Sequence, residues 1–134
     1  MPFVRLATSA DLAALQAFDQ MYEATASAIK AGTCIVAGFD DAVLAYAIVG
    51  RSFFTRRFVE FVFVHPDHRQ KGLANALLAF AEAQFPQEAV WISTSVGNQP
   101  MQTVLHRRGY KCSGIIHDLA EVPELIYHKR QQNP

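Results

Sequence analysis

The sequence predicts an α/β domain: one mixed, twisted sheet of about six or seven strands with helices on both faces. Three observations carry this. The elements read β, α, β, β, β, α, β, α, β, β, so strands and helices alternate only in the second half. The most β-prone run, Phe58 to Val64, is broken by Pro66 and followed at once by a helix rich in alanine and leucine. The chain has 134 residues, of which 51% are hydrophobic, which fits one domain over 1–134 with a core that needs no metal or disulfide.

Each element has its own signal. Phe3 to Ala7 alternates as a short strand. Thr8 followed by Asp11 is close to a capping box, and Leu12, Leu15, Phe18 or Asp19, Met21 and Tyr22 mark the apolar stripe of a helix running to the low twenties. A second short helix covers Thr25 to Lys30, closed by Gly32. Cys34 to Phe39 and Val43 to Val49 form a hairpin about Asp40-Asp41. Gly72 to Phe85 is a helix apolar on nearly every side, which argues for burial, and Pro86 stops it. Ala89 to Val96 is a strand, and Met101 to Arg108 a helix closed by Gly109. Ile115 to Leu119 and Leu125 to His128 are the last strands, and Gln131 to Pro134 is a frayed tail.

Composition excludes several classes. Twelve Lys and Arg balance twelve Asp and Glu, so the basic excess of a nucleic-acid partner is missing. No apolar run approaches the ~20 residues of a membrane helix, and no N-terminal stretch has the build of a signal peptide. The expectation is a soluble, cytoplasmic protein. Cys34 and Cys112 read as reduced thiols, each a small buried hydrophobe at the start of an apolar segment.

The informative stretch runs from Phe61 to Asn75. A buried strand ends, a short loop turns and a helix begins. The first turn of a helix leaves backbone N–H groups without internal partners, and these, with the positive end of the dipole, make an anion site. The residue types suit that task. Gly72 lets an anion approach the backbone, Ala74 is nearly as small, Arg69 and Lys71 add charge, His68 adds a donor, and Asn75 adds an amide one turn on. One glycine with basic neighbours also describes a plain strand–helix connection, and the residues alone leave both readings open. A phosphate loop of the G-x-x-x-x-G-K-[ST] type is absent, and Gly72 alone cannot supply the three glycines of a dinucleotide fingerprint.

This stretch resembles the acyl-CoA signature of the GNAT superfamily of N-acetyltransferases: a strand, V-x-P, [QR]-x-x-G-x-[GA], then a leucine-rich helix. Here it stands as Val64-His65-Pro66, Arg69-Gln70-Lys71-Gly72-Leu73-Ala74 and Leu77-Leu78. A second family segment, N-x-x-[AM]-x-x-[LF]-[YF]-x-x-x-G-[FY], is met at Asn98, Met101, Gly109 and Tyr110, with Val104 and Leu105 at the two positions between. The resemblance covers nearly the whole chain, Phe3 to about Lys129. It implies acetyl-CoA as the acyl donor and an amine of a small molecule or peptide as the acceptor, with direct attack on the thioester. It implies that Val62, Phe63 and Val64 present strand-edge backbone groups to the acetyl and pantetheine portions. Arg69, Gln70, Lys71, Gly72, Leu73, Ala74 and Asn75 would hold the pyrophosphate, largely through backbone N–H groups. Asn98 would meet the pantetheine arm. The strands ending near Val64 and Val96 would splay to admit it.

The chemistry needs a base. A lysine-like ammonium lies about three units above neutral pH, so its free amine costs roughly 4–5 kcal/mol. Glu60 is the candidate, because it precedes Val64 by four residues, where the family often carries an acid. Strict alternation would put Glu60, Val62 and Val64 on one face. The alternative is a surface ion pair with Arg56 or Arg57. The family's usual tyrosine position is occupied by Leu105, which can donate nothing; His106, Tyr110 and Tyr127 are out of place for that role. That departure leaves a second reading open, a non-catalytic acyl-CoA-binding or regulatory module, and a third in which only the fold is kept. His65 and His68 lack the further ligands of a metal site. Ser52-Phe53-Phe54 with Arg56-Arg57-Phe58 suits an acceptor entrance, a core, or the contact of a homodimer equally.

Overall fold

The computed structural model describes residues 1–18 and 22–131. Seven strands form one sheet in the order β1-β2-β3-β4-β5-β7-β6. They are β1 (Phe3–Leu6), β2 (Cys34–Phe39), β3 (Ala42–Phe53), β4 (Arg56–Val64), β5 (Val90–Ser95), β6 (Lys111–Ile116) and β7 (Glu124–Lys129). Only β4 and β5 are parallel neighbours; every other pair is antiparallel. Four α-helices accompany them among the described residues: α1 (Leu12–Gln16), α2 (Tyr22–Ala31), α3 (Leu73–Gln84) and α4 (Gln99–Arg107).

The sheet separates two cores. On one face Leu73, Leu77, Leu78 and Ala81 of α3 and Leu105 of α4 pack against Ala45, Ala47, Val59, Val90 and Ile92. On the other, Leu15 of α1 and Ala28 of α2 cover Val36, Tyr46 and Ile48, with Phe61 and Phe63 at the margin. Strand β2 is buried on both faces, which is why Cys34 to Phe39 reads as an unbroken apolar run. Burying each large aliphatic side chain contributes about 1.5–3 kcal/mol, so these two clusters hold the layers together.

Several boundaries differ from the sequence reading, each for a local reason. Helix α1 stops at Gln16 and α2 begins at Tyr22, three residues ahead of Thr25. Asp19, Met21 and the side chain of Tyr22, placed on the stripe from sequence, lie outside the described residues. The cap at Thr8 is present: its N–H donates to Asp11 Oδ2 at 2.8 Å, and Arg5 grips the same carboxylate from two nitrogens at 2.7 and 2.8 Å. The β3–β4 hairpin extends to Phe53 and Arg56, and closes on Phe54 and Thr55, both at positive φ. That primed-turn geometry matches strand twist but normally carries Asn or Gly, so the sequence held no cue for it.

Strand β6 starts at Lys111, not Ile115, because Ser113 is an extra residue between the Cys112 and Gly114 pairings and breaks the alternation. As the sheet's edge strand it leaves Cys112 exposed, which corrects the expectation that both thiols are buried; Cys34 is buried. Gln131, read as part of a loose tail, is anchored: its Nε2 donates to the carbonyls of Glu82, Phe85 and Glu88 at 2.9–3.0 Å. Residues 132–134 lie outside the described range. Among the described residues no helix is long and apolar enough to cross a membrane.

Candidate active site

The site forms where β4 parts from β5. The two strands pair only at Phe58↔Trp91 and Val59↔Ile92. Beyond that point β4 has no strand partner on this edge among the described residues, and a cleft of about 310 Å³ opens. Glu60, Val62, Ser93, Ser95, Asn98 and Glu124 are among its lining residues.

Backbone direction decides which strand groups reach the cleft. The His65 N–H donates to Leu44 O on β3 at 2.7 Å. Amide directions alternate along a strand, so Phe63 and Phe61 also turn toward β3, while Val62 and Val64 turn toward the cleft. Phe63 therefore presents no backbone group there, a correction to the sequence reading. Val64 O is occupied by Arg69 Nε at 3.2 Å. Among the described residues, the Val62 N–H and C=O and the Val64 N–H meet no protein partner.

The loop after Pro66 leaves its backbone open to close approach. Gln70 has φ of 63° and Gly72 has φ of 85°, so the chain makes two left-handed turns before α3. Gly72 caps α3 through backbone alone, with no side-chain bond, and open space lies where its Cβ would be. The Ala76 N–H is the first of the helix to find an acceptor, at Gly72 O. Among the described residues, no protein acceptor meets the N–H groups of Arg69, Gln70, Lys71, Gly72, Leu73, Ala74 or Asn75. Most of this segment is exposed, although the Leu73 side chain is buried. The amides are thus neither capped nor walled off.

The side chains around the loop divide their work. Lys71 Nζ lies 3.3 Å from His68 Nδ1, beside the loop. His65 Nδ1 accepts the Asp67 N–H at 3.1 Å, so the two histidines are engaged locally. Arg69 folds back over the Phe63 ring, 5.6 Å from its centroid. Asn98 caps α4 by accepting the Met101 N–H at 3.2 Å, and its NH₂ meets no acceptor among the described residues.

Glu60 occupies an unanticipated position. Val49 pairs with Val59 and Ile48 with Phe61, so Glu60 is an extra residue in β4. The bulge resets the alternation. A Cβ on Gly50 would collide with Glu60 Oε2. Gly50 follows Tyr46 and Ile48 in strand alternation, and those belong to the α1–α2 face, whereas Val62 and Val64 pack toward α3. The carboxylate therefore lies on the face opposite Val62 and Val64, not beside them as strict alternation implied. Neither arginine weighed as its partner holds it among the described residues. Arg57 is buried and donates to Ala81 O at 2.8 Å and Gln84 Oε1 at 3.2 Å.

Among the described residues, no phenol lines the cleft. Leu105, in the tyrosine position, is wholly buried in the α3–α4 core. The Tyr110 hydroxyl donates to Glu82 Oε2 at 2.9 Å, and burial together with that carboxylate pushes its pKa well up. The Tyr127 hydroxyl faces His106 Nε2 at 3.4 Å. Glu82 itself is buried and bound by Arg108, Lys129 and Tyr110; burial pushes its pKa up, but the three bonds outweigh it and hold the carboxyl below its usual range. Nothing in the sequence singled out this cluster, because its members lie in α3, in the loop between α4 and β6, and in β7. A larger hollow of about 390 Å³ lies at the other end of α3, near Thr33, Arg51, Arg57 and Phe85, but it contains none of the loop amides.

The strands β4 and β5 thus part beside a glycine-led helix whose first amides meet no protein acceptor among the described residues. The sequence profile of the Acetyltransferase (GNAT) family matches residues 6–110, and the chain belongs to that family. Solved structures agree in fold. An acetyltransferase of the GNAT family from Bacillus cereus superposes with a TM-score of 0.93 at 26% identity, covering 99% of each chain. The ribosomal-protein-S18-alanine N-acetyltransferase of Escherichia coli gives a TM-score of 0.84 at 15% identity, covering 100% of this chain and 96% of its own. YncA of Salmonella typhimurium, solved with its cofactor acetyl-CoA, gives 0.76 at 18% identity, covering 99% and 95%. A search of curated protein sequences finds no match.

Proposed function

We propose that this protein is a cytoplasmic N-acetyltransferase that moves the acetyl group of acetyl-CoA to an amine of a small molecule or peptide by direct attack on the thioester. The observation that carries the reading is the run of uncapped amides from Gln70 to Asn75 beside the open edge of β4. Those donors fit a diphosphate. The Val62 N–H and C=O and the Val64 N–H fit the amides of a pantetheine arm laid along the strand, as an added strand would be. The free NH₂ of Asn98 fits the same arm. Neighbours of this fold include a ribosomal-protein-alanine N-acetyltransferase, which supports an amine acceptor without naming it.

The reaction balances with the groups present. The amine nitrogen bonds to the acyl carbon as the C–S bond breaks. The proton lost by the amine goes to Glu60, directly or through water, and general base help of this kind is worth about 10²–10⁴-fold. The leaving thiolate takes a proton from solvent. A thiolate is a far weaker base than an alkoxide and departs without an obligatory acid, so Leu105 in place of tyrosine does not forbid turnover.

Leu105 favours one other reading, a module that binds acyl-CoA without catalysis. Thermal shift with acetyl-CoA, followed by thiol release across an amine panel, separates the two. A ligand at 100 times its Kd stabilises the fold by about 2.7 kcal/mol. A shift with thiol release supports the enzyme, a shift without release supports the module, and no shift removes both.

A further inference from the structure

We infer that Arg108 is a positioning residue for the anion loop, holding the Asn75 amide so that its NH₂ faces the ligand. This rests on the proposed function and adds a residue that the loop motif does not contain. Arg108 Nη1 donates to Asn75 Oδ1 at 2.8 Å. Asn75 is the third residue of α3 and exposed, and its Nδ2 meets no acceptor among the described residues. A free asparagine turns either end of its amide outward. Arginine only donates, so the atom facing it must be the oxygen, and the two N–H donors point away. An anion at the first turn of α3 requires that orientation.

The guanidinium is itself fixed. Its Nε and Nη2 donate to the two oxygens of Glu82 at 2.9 and 2.7 Å. Glu82 is only 6% exposed, and it is held in turn by Tyr110 and by Lys129 Nζ at 2.9 Å. Asn75 is therefore braced through α3 and β7 by groups distant in sequence. Asn98 repeats the device at the other end of α4, with its oxygen committed to Met101 and its NH₂ free.

The test is a double-mutant cycle on CoA affinity, with Asn75→Ala, Arg108→Met and the pair, alongside kcat/KM for S-acetylpantetheine, which lacks the diphosphate. Each single change weakens CoA about tenfold, and the pair weakens it no more than either alone, because both remove one contact. Use of S-acetylpantetheine stays at the wild-type level. Should Arg108→Met fail to fold, Arg108→Lys serves: an ammonium can hold Glu82 but cannot span to Asn75 as well. Losses that multiply in the pair, or an equal loss with S-acetylpantetheine, overturn the inference alone. A wild-type protein that binds no CoA overturns the proposed function and this inference with it.

Discussion

Replacing Gly50 with alanine puts a methyl group where the Glu60 carboxylate now lies. The carboxylate must retreat by roughly 1 Å or more to reach ordinary contact, and a displacement of that size at a reacting group costs about 10²-fold in rate. The cost to stability is small. Overpacking a closed core costs about 1–3 kcal/mol, but here the displaced atom ends a flexible, half-buried side chain, so about 1 kcal/mol is the upper bound. Gly50→Ala should therefore lower kcat about 10²-fold, approaching the deficit of Glu60→Gln, with CoA affinity unchanged. The deficit of both variants should be largest at low pH and narrow toward the amine's own pKa, where free amine forms unaided. Stopped assays of thiol release from pH 6 to 10 read this directly. Wild-type turnover in both variants would remove Glu60 as the base; wild-type turnover in Gly50→Ala alone would show that it acts from another position.

Other outcomes follow from the same geometry. Gly72→Ala should cost about 1 kcal/mol in urea unfolding, since its φ of 85° is strained for any residue with a Cβ while space for the methyl is open. Gly72→Glu should add loss of CoA binding through bulk and like charge, and retained affinity in a folded variant would misplace the loop. Glu82→Gln should destabilise the protein by about 3 kcal/mol at pH 7, because it leaves Arg108 and Lys129 without their buried anion. The folded carboxyl lies below its unfolded value, so its contribution is full above the unfolded pKa near 4.3 and is lost as pH falls through the folded one. Urea titrations should show the wild type losing stability on that acid limb and the variant losing less; parallel curves would contradict the role given to Glu82.

The sheet and the glycine-led start of α3 were readable because their signals are local. Phe58 to Val64 followed by Pro66 and the apolar α3 needs no tertiary information, and Gly72 marks the helix start by backbone necessity. What was hidden depends on pairing between strands. The bulge at Glu60 exists only against Val49 and Ile48, and it turns the carboxylate to the opposite face. Similarly, the direction of the Phe63 amide follows from the bond between His65 and Leu44, 21 positions apart in sequence, which no local pattern announces. The Glu82 cluster joins residues up to 47 positions apart through side chains alone, and no periodicity announces it. Ser113 and the Phe54-Thr55 turn misled the strand limits for the same reason: extra or left-handed residues without glycine leave no compositional mark.

The most direct test of the account follows backbone ¹⁵N–¹H resonances during titration with CoA and, separately, pantetheine. With CoA, the amides of Gln70 to Asn75 should show the largest shifts in the protein; with pantetheine they should stay near their free positions while Val62 and Val64 respond. Saturable CoA binding that leaves Gln70 to Asn75 unmoved would contradict the claim that these amides hold the diphosphate.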